Sequence, residues 1–193
     1  MKNLKILEYN LKNHLSNFEN LKANKNFNNK LFKAIDLIKS SVRNGGKIIF
    51  IGNGGSAADS QHLSSELVGK FLKKRKPLPA LALTTDSSIL TSISNYLKYD
   101  YVFSRPISSI GNKNDILIAI TTSGKSKNII EAFKICKKKK IKSICLTKKN
   151  YPKNLKNNCN LVLDVPATRV DRVQEMHIFV GHTICEILEK ELT

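Results

Sequence analysis

Five short apolar runs, each leading towards a stretch with helical periodicity, restrict this chain to a narrow set of folds. The runs are Lys47–Ile51, Ala80–Leu83, Ile116–Ile120, Lys142–Leu146 and Leu161–Val165. They lack the strict apolar–polar alternation of a half-exposed strand, so they suit strands covered on both faces. Between them lie helical patterns over Ala57–Leu72, about Ser87–Asn95, Ser126–Lys139 and a short piece near Tyr151–Asn157; Val170–Glu191 closes the chain. This alternation implies an α/β fold with a mostly parallel sheet and right-handed crossovers. Ligands of such sheets bind at the carboxyl ends of the strands.

Two further helices precede the first strand. Leu4, Leu7, Leu11, Leu15, Phe18 and Leu21 recur at helical spacing, and so do Leu31, Ala34, Ile35, Ile38 and Val42. Gly45-Gly46 ends the second pattern. Apolar stripes ahead of the sheet need a partner, so subunit packing through these helices is expected. The 193 residues fit one domain, with residues 1–45 as the packing helices and 47–193 as the α/β core. No apolar run approaches the ~20 residues of a membrane span. The start shows no continuous apolar segment of the signal-peptide kind. Cys136, Cys145, Cys159 and Cys185 show no C-x-x-C spacing. A cytoplasmic protein with free thiols is the expectation.

A formal charge of +18 raises the question of nucleic acid. Lysine supplies 28 of the 33 basic residues, and aromatic residues are not interleaved among them. The runs Lys73-Lys74-Arg75-Lys76 and Lys137-Lys138-Lys139-Lys140 lie at or near predicted helix ends, where cations suit the dipole. Solvated faces are the expectation, with no nucleic-acid or membrane partner.

Two loops follow predicted strands and open helices. Gly52-Asn53-Gly54-Gly55-Ser56 is one, and Thr121-Thr122-Ser123-Gly124-Lys125-Ser126 is the other. Glycines, hydroxyls and a helix N-terminus suit a phosphate monoester. Neither loop is a Walker A motif or a G-x-G-x-x-G fingerprint, so nothing points to a nucleoside triphosphate or a dinucleotide. Beyond the first loop, His62 and Glu66 share a helix face at i and i+4. Such a pair can hold a metal or place a base beside a substrate. Gln174, His177 and His182 sit on the closing helix near Arg169, Asp171 and Arg172. His177 and His182 are five residues apart and point to different faces, so at most one serves a site. Gln174 and His182 are ~12 Å apart along a helix axis. To share an ion, their side chains must lean together or come from different subunits.

Ile51-Gly-Asn-Gly-Gly-Ser-Ala-Ala-Asp-Ser-Gln-His-Leu-Ser-Ser-Glu66, Phe103-Ser104-Arg105, Thr122-Ser-Gly-Lys-Ser126 and Asp171-Arg-Val-Gln-Glu-Met-His177, in this order, resemble the phosphoheptose isomerases of the sugar isomerase (SIS) domain superfamily. The resemblance spans nearly the whole chain. It implies a three-layer, flavodoxin-like αβα fold with a five-stranded parallel sheet. It also implies a homotetramer with active sites between subunits. The implied reaction converts D-sedoheptulose 7-phosphate to D-glycero-D-manno-heptose 7-phosphate, for heptose in lipopolysaccharide, capsule or other glycans. By the same resemblance Glu66 and His182 are catalytic. Asn53, Gly54, Gly55 and Ser56 form the first substrate loop, and Thr121, Thr122, Ser123 and Ser126 take the phosphate. Asp171 and Gln174 touch substrate, and Asn95 and Tyr96 occupy a further substrate position. Zinc, where the family binds it, is held at positions matching His62, Glu66, Gln174 and His182.

Aldose–ketose exchange passes through a cis-enediol, with one group moving the carbon-bound proton and another handling the oxygens. Glu66 is assigned to carbon and His182 to oxygen, and the reverse is also possible. Zinc could polarise the carbonyl, but a carboxylate that ligates metal is a weaker base, so the two uses of Glu66 compete. The chain departs from the family pattern at Tyr96, where an Asp is usual, at Lys70, where an Arg is usual, and at Thr121, where a Ser is usual. Two alternatives stand beside this reading. One is an SIS enzyme for another sugar phosphate; the other is a non-catalytic SIS protein that binds the replication initiator. The latter type lacks the carboxylate and histidine that Glu66 and His182 supply.

Overall fold

A computed structural model describes residues 2–193. Two helices, α1 (Lys2–Ala23) and α2 (Lys25–Arg43), lead into β1 (Ile48–Gly52) and α3 (Gly55–Val68). Then come β2 (Ala80–Ala82), α4 (Ser87–Tyr96), a single 3-10 turn at Tyr99–Tyr101 and α5 (Ser104–Ile110). The second half runs β3 (Ile116–Ile120), α6 (Lys127–Lys139), β4 (Lys142–Lys148), α7 (Lys153–Asn158), β5 (Leu161–Val165) and α8 (Val170–Leu192). The strands form one parallel sheet in the order β2-β1-β3-β4-β5. The chain leaves β1 for the edge strand β2, then returns to β3 on the other side of β1. The switch point therefore lies between β1 and β3, where Gly52 pairs with Ile120 and both site loops begin.

Every residue of β1 and β3 is buried, as expected for strands covered on both faces. One apolar core joins α2, α3 and α8 to one face through Ile35, Ile38, Leu63, Leu67, Val180 and Ile184. The other joins α5 and α6 to the opposite face through Ile107, Ile129, Phe133 and Cys136. Each such side chain contributes roughly 1.5–3 kcal/mol when fully buried. The three-layer arrangement follows from that coverage.

The boundaries depart from the periodicity in instructive places. The third helix ends at Val68 instead of Leu72. Gly69 takes over its last turn, and Arg75 satisfies the carbonyls of Glu66 and Leu67 that further helix would have used. Helix α5 was not anticipated from the periodicity; Pro106 lies in its first turn, where its missing N–H costs nothing. Helices α1 and α2 are separated by Asn24, whose side chain accepts from the Phe27 amide at 3.0 Å. The lysines of the run Lys73-Lys74-Arg75-Lys76 are exposed as expected, but the Arg75 side chain is only 3% exposed. All four cysteines are free. Among the described residues, no helix is long and apolar enough to cross a membrane.

Candidate active site

The loop after β1 is shaped by its own backbone. Ser56 N–H donates to Asn53 O at 3.0 Å, and Gly54 has φ +56, a conformation that a side chain disfavours. Gly55 is needed for a different reason. A Cβ there would lie 2.3 Å from Nε2 of Gln174, so the head of α8 rests against the head of α3. The loop after β3 is closed by its hydroxyls. Gly124 N–H donates to Thr121 Oγ1 at 3.2 Å, and Lys125 N–H to Ser123 Oγ at 3.1 Å. Ser126 stands at the N-cap of α6, and its hydroxyl makes no capping bond. That hydroxyl and the helix N-terminus suit an anion.

A reciprocal amide pair ties the two loops together. Asn53 Nδ2 donates to Asn128 Oδ1 at 3.0 Å, and Asn128 Nδ2 donates to Asn53 Oδ1 at 2.8 Å. Tyr99 adds its hydroxyl to Asn53 Oδ1 at 2.9 Å. Asn128 is 3% exposed and lies in the first turn of α6, so the loop after β1 and the loop after β3 share one anchor.

Further along α3 and α8 stands a triad. Leu63 packs on Gly181 so closely that a Cβ there would meet Leu63 Cδ1 at 2.5 Å. This contact sets the two helices side by side at the level of His62 and His182. The two imidazole Nε2 atoms are 2.9 Å apart, and Glu66 Oε1 lies 3.5 Å from His62 Nε2. Phe71 stacks on the His182 ring at 5.4 Å between centroids and 20° between planes. Burial and the neighbouring His62 hold His182 below the usual imidazole pKa, against the pull of Glu66. His182 is therefore neutral at neutral pH, the form that accepts a proton or binds a metal. The ligand atoms of His62, Glu66 and His182 all lie within 4.8 Å of one another. Two imidazole nitrogens and a carboxylate oxygen at that separation suit a small divalent cation such as zinc. Three protein ligands also leave a coordination position open.

Asp59, one turn before His62, carries a carboxyl oxygen with no partner among the described residues. Burial pushes its pKa up to about 6, and His62 moderates the rise. His177 is fully buried beside the Thr147 backbone, neither ring nitrogen is paired among the described residues, and burial pulls it down to about 4.

The SIS domain family model matches residues 14–148. Across 160 residues the chain is 44% identical to the phosphoheptose isomerase of Rhodospirillum rubrum, covering 83% of this chain and 85% of that one. The chain belongs to the phosphoheptose isomerase family. A family member from Clostridium acetobutylicum is 41% identical over 192 residues, covering 100% of this chain and 96% of that protein. The solved structure of a phosphoheptose isomerase from Francisella tularensis superposes with a TM-score of 0.93 at 30% identity, covering 99% and 100% of the two chains.

Within this family member the residues singled out from the sequence fall into separate groups. His62, Glu66 and His182 meet. Gln174 does not join them, since it rests against Gly55, eight residues and ~12 Å up the helix from His182. Asp171 opens α8, its carboxylate held by Arg169 Nε at 2.6 Å and by Arg172 Nη2 at 3.2 Å. Arg169 in particular keeps it well below the usual carboxylate pKa. Asn95 and Tyr96 end α4 exposed to solvent. Among the described residues, neither side chain hydrogen-bonds to a site loop. Tyr99 reaches the first loop instead. Sequence reasoning passed over Tyr99, Asn128 and Asp59. Asp59 could have been found as the i−3 neighbour of His62, and Asn128 as the first polar residue inside the helix opened by the second loop. Nothing local marks Tyr99.

Proposed function

We propose that this chain is a ketose–aldose isomerase interconverting D-sedoheptulose 7-phosphate and D-glycero-D-manno-heptose 7-phosphate. The meeting of His62, Glu66 and His182 carries the reading, because a neutral imidazole beside a carboxylate supplies the two groups that aldose–ketose exchange needs. The curated relatives named above bear the name phosphoheptose isomerase.

In this reading Thr121, Thr122, Ser123 and Ser126 donate to the phosphate at the head of α6, while Asn53, Gly54, Gly55 and Ser56 hold sugar hydroxyls. Glu66 takes the proton from one carbon and returns it to the next, and His182 carries protons between the enediol oxygens. Zinc fits the same triad and, when bound, would supply a Lewis acid for the substrate carbonyl; it would compete with the acid–base use of Glu66 and His182, whose ligand atoms it would occupy. Asp171, Gln174, Asn95 and Tyr96 complete the substrate pocket in the assembly, and Gln174 adds a metal ligand there. Eleven helical residues place Glu66 ~16 Å along the axis from Gly55. The seven-carbon chain, with six bonds of ~1.5 Å, has a contour of only ~9 Å. That mismatch favours a site shared between subunits, the loops of one chain facing the triad of another.

The assembly proposed is a homotetramer of single SIS domains packed through residues 1–45. It is supported by the exposed Leu4, Leu7, Leu11 and Leu15 of α1 and by an apolar groove between α1, α2 and α8 lined by Phe18, Phe27, Leu31 and Phe179. A cytoplasmic enzyme that feeds heptose to lipopolysaccharide or capsule completes the proposal. Incubation with sedoheptulose 7-phosphate, followed by NMR for the aldose product, tests it. Conversion is expected, and no conversion with or without added zinc would remove the proposal.

A further inference from the structure

Arg75 and Glu189 form an ion pair whose side chains are 3% and 1% exposed. Burying two charges is costly unless every donor and acceptor is used. Here they are well used. Arg75 Nε donates to Glu189 Oε1 at 3.1 Å, and Glu189 Oε2 accepts from the Leu72 and Lys73 amides at 3.0 and 3.1 Å. The rest of the guanidinium faces the other way. Its Nη2 donates to the carbonyl of Glu66 at 2.6 Å, and its Nη1 to the carbonyl of Leu67 at 2.8 Å.

Three parts of the protein meet at this pair. Glu66 and Leu67 belong to the last turn of α3. Glu189 lies on α8 seven residues past His182, two turns along the same face. Residues 69–79 connect α3 to β2, and from that connection Phe71 stacks on His182. One guanidinium thus holds the main chain of the carboxylate residue. Its partner carboxylate pins the connection that covers the imidazole. Apolar residues of similar volume would fill the space at no greater cost, so stability alone does not account for a buried pair. Planar, forked donor geometry is what a lysine cannot reproduce.

We infer that Arg75 and Glu189 are positioning residues for the His62–Glu66–His182 centre. The pair registers α3 against α8 and seats Phe71 on the His182 ring. The inference rests on the triad being the working centre, as proposed above.

Two variants test it in the intact full-length protein: Arg75→Lys, and the double replacement Arg75→Met/Glu189→Leu, which refills the space with apolar atoms. Three quantities are compared with the wild type. They are the Tm of the metal-free protein, the affinity for zinc alone by chelator competition, and kcat and KM for sedoheptulose 7-phosphate. Zinc affinity is expected to fall roughly 10- to 100-fold, the usual range for groups that orient metal ligands. A comparable fall in kcat is expected, with KM within about threefold and with the Tm of the double variant close to wild type. A lowered Tm with zinc affinity and kcat unchanged would make the pair merely structural and overturn the inference. If the wild type binds zinc but does not turn over the sugar phosphate, the proposed reaction fails while the zinc arm still decides the positioning role. A wild type that does neither overturns both.

Discussion

The loops Gly52–Ser56 and Thr121–Ser126 take most of their shape from residues a few positions away. His62 and His182 meet only because two helices hold register across 120 residues of sequence. A loop built locally tolerates change one bond at a time. A centre built by helix register answers to every contact that sets that register, including contacts distant from the chemistry. Mutations in the two regions should therefore separate binding from turnover.

The largest expected effect lies in the helical region. Glu66→Gln keeps shape and removes the proposed base, so kcat for sedoheptulose 7-phosphate should fall about 10³-fold with KM little changed. Size-exclusion chromatography should show the assembly intact, and full activity in this variant would remove Glu66 as the base. Next is Gly181→Val, which forces atoms into the 2.5 Å gap at Leu63. Overpacking costs roughly 1–3 kcal/mol, and a shift of about 1 Å between reacting groups costs ~10²-fold in rate. Turnover should collapse while competitive inhibition by inorganic phosphate survives; loss of both together would erase the distinction between the regions.

Asn128→Asp attacks the bridge between the loops. The carboxylate cannot donate to Asn53 Oδ1, and one oxygen is left facing a like dipole, a penalty of about 1–3 kcal/mol. KM should rise about tenfold with kcat nearly kept. A pure kcat defect would mean that the bridge serves the triad and not the loops. Ser126→Ala removes one proposed donor to the phosphate, worth about 1 kcal/mol, and KM should rise about fivefold.

A last prediction concerns stability and pH. His177 has a pKa near 4 in the fold, below the ordinary 6.5, because burial disfavours its cation. The unfolded chain therefore binds more protons between these values. Stability from this group is full above about 6.5 and is lost as pH falls towards 4, amounting to about 3 kcal/mol. Tm measured from pH 7 to pH 4 should drop, and His177→Leu should flatten that slope.

The sheet was legible because its strands are buried on both faces, which leaves unbroken apolar runs bounded by glycine and polar turns. The loops were legible for a similar reason, since their glycines and hydroxyls sit together in the chain. His62 and Glu66 were readable as one helix face. Their union with His182 was available only through resemblance, because register between helices is carried by Gly181 and Leu63, which look like ordinary packing residues. Arg75 was misread as one more cation in a basic run. A run of like charges says nothing about which member turns inward, and Glu189, its reason for doing so, stands 114 residues away.

All three atoms suited to a cation come from a single polypeptide. These three atoms need no second molecule to gather them, and the Gln174 ligand proposed above would join only on assembly. If zinc binds there as proposed, it can load a folded monomer before the proposed assembly forms. On that proposal a cell short of zinc would meet the shortage at the level of individual chains, with empty and loaded copies free to enter the same proposed oligomer.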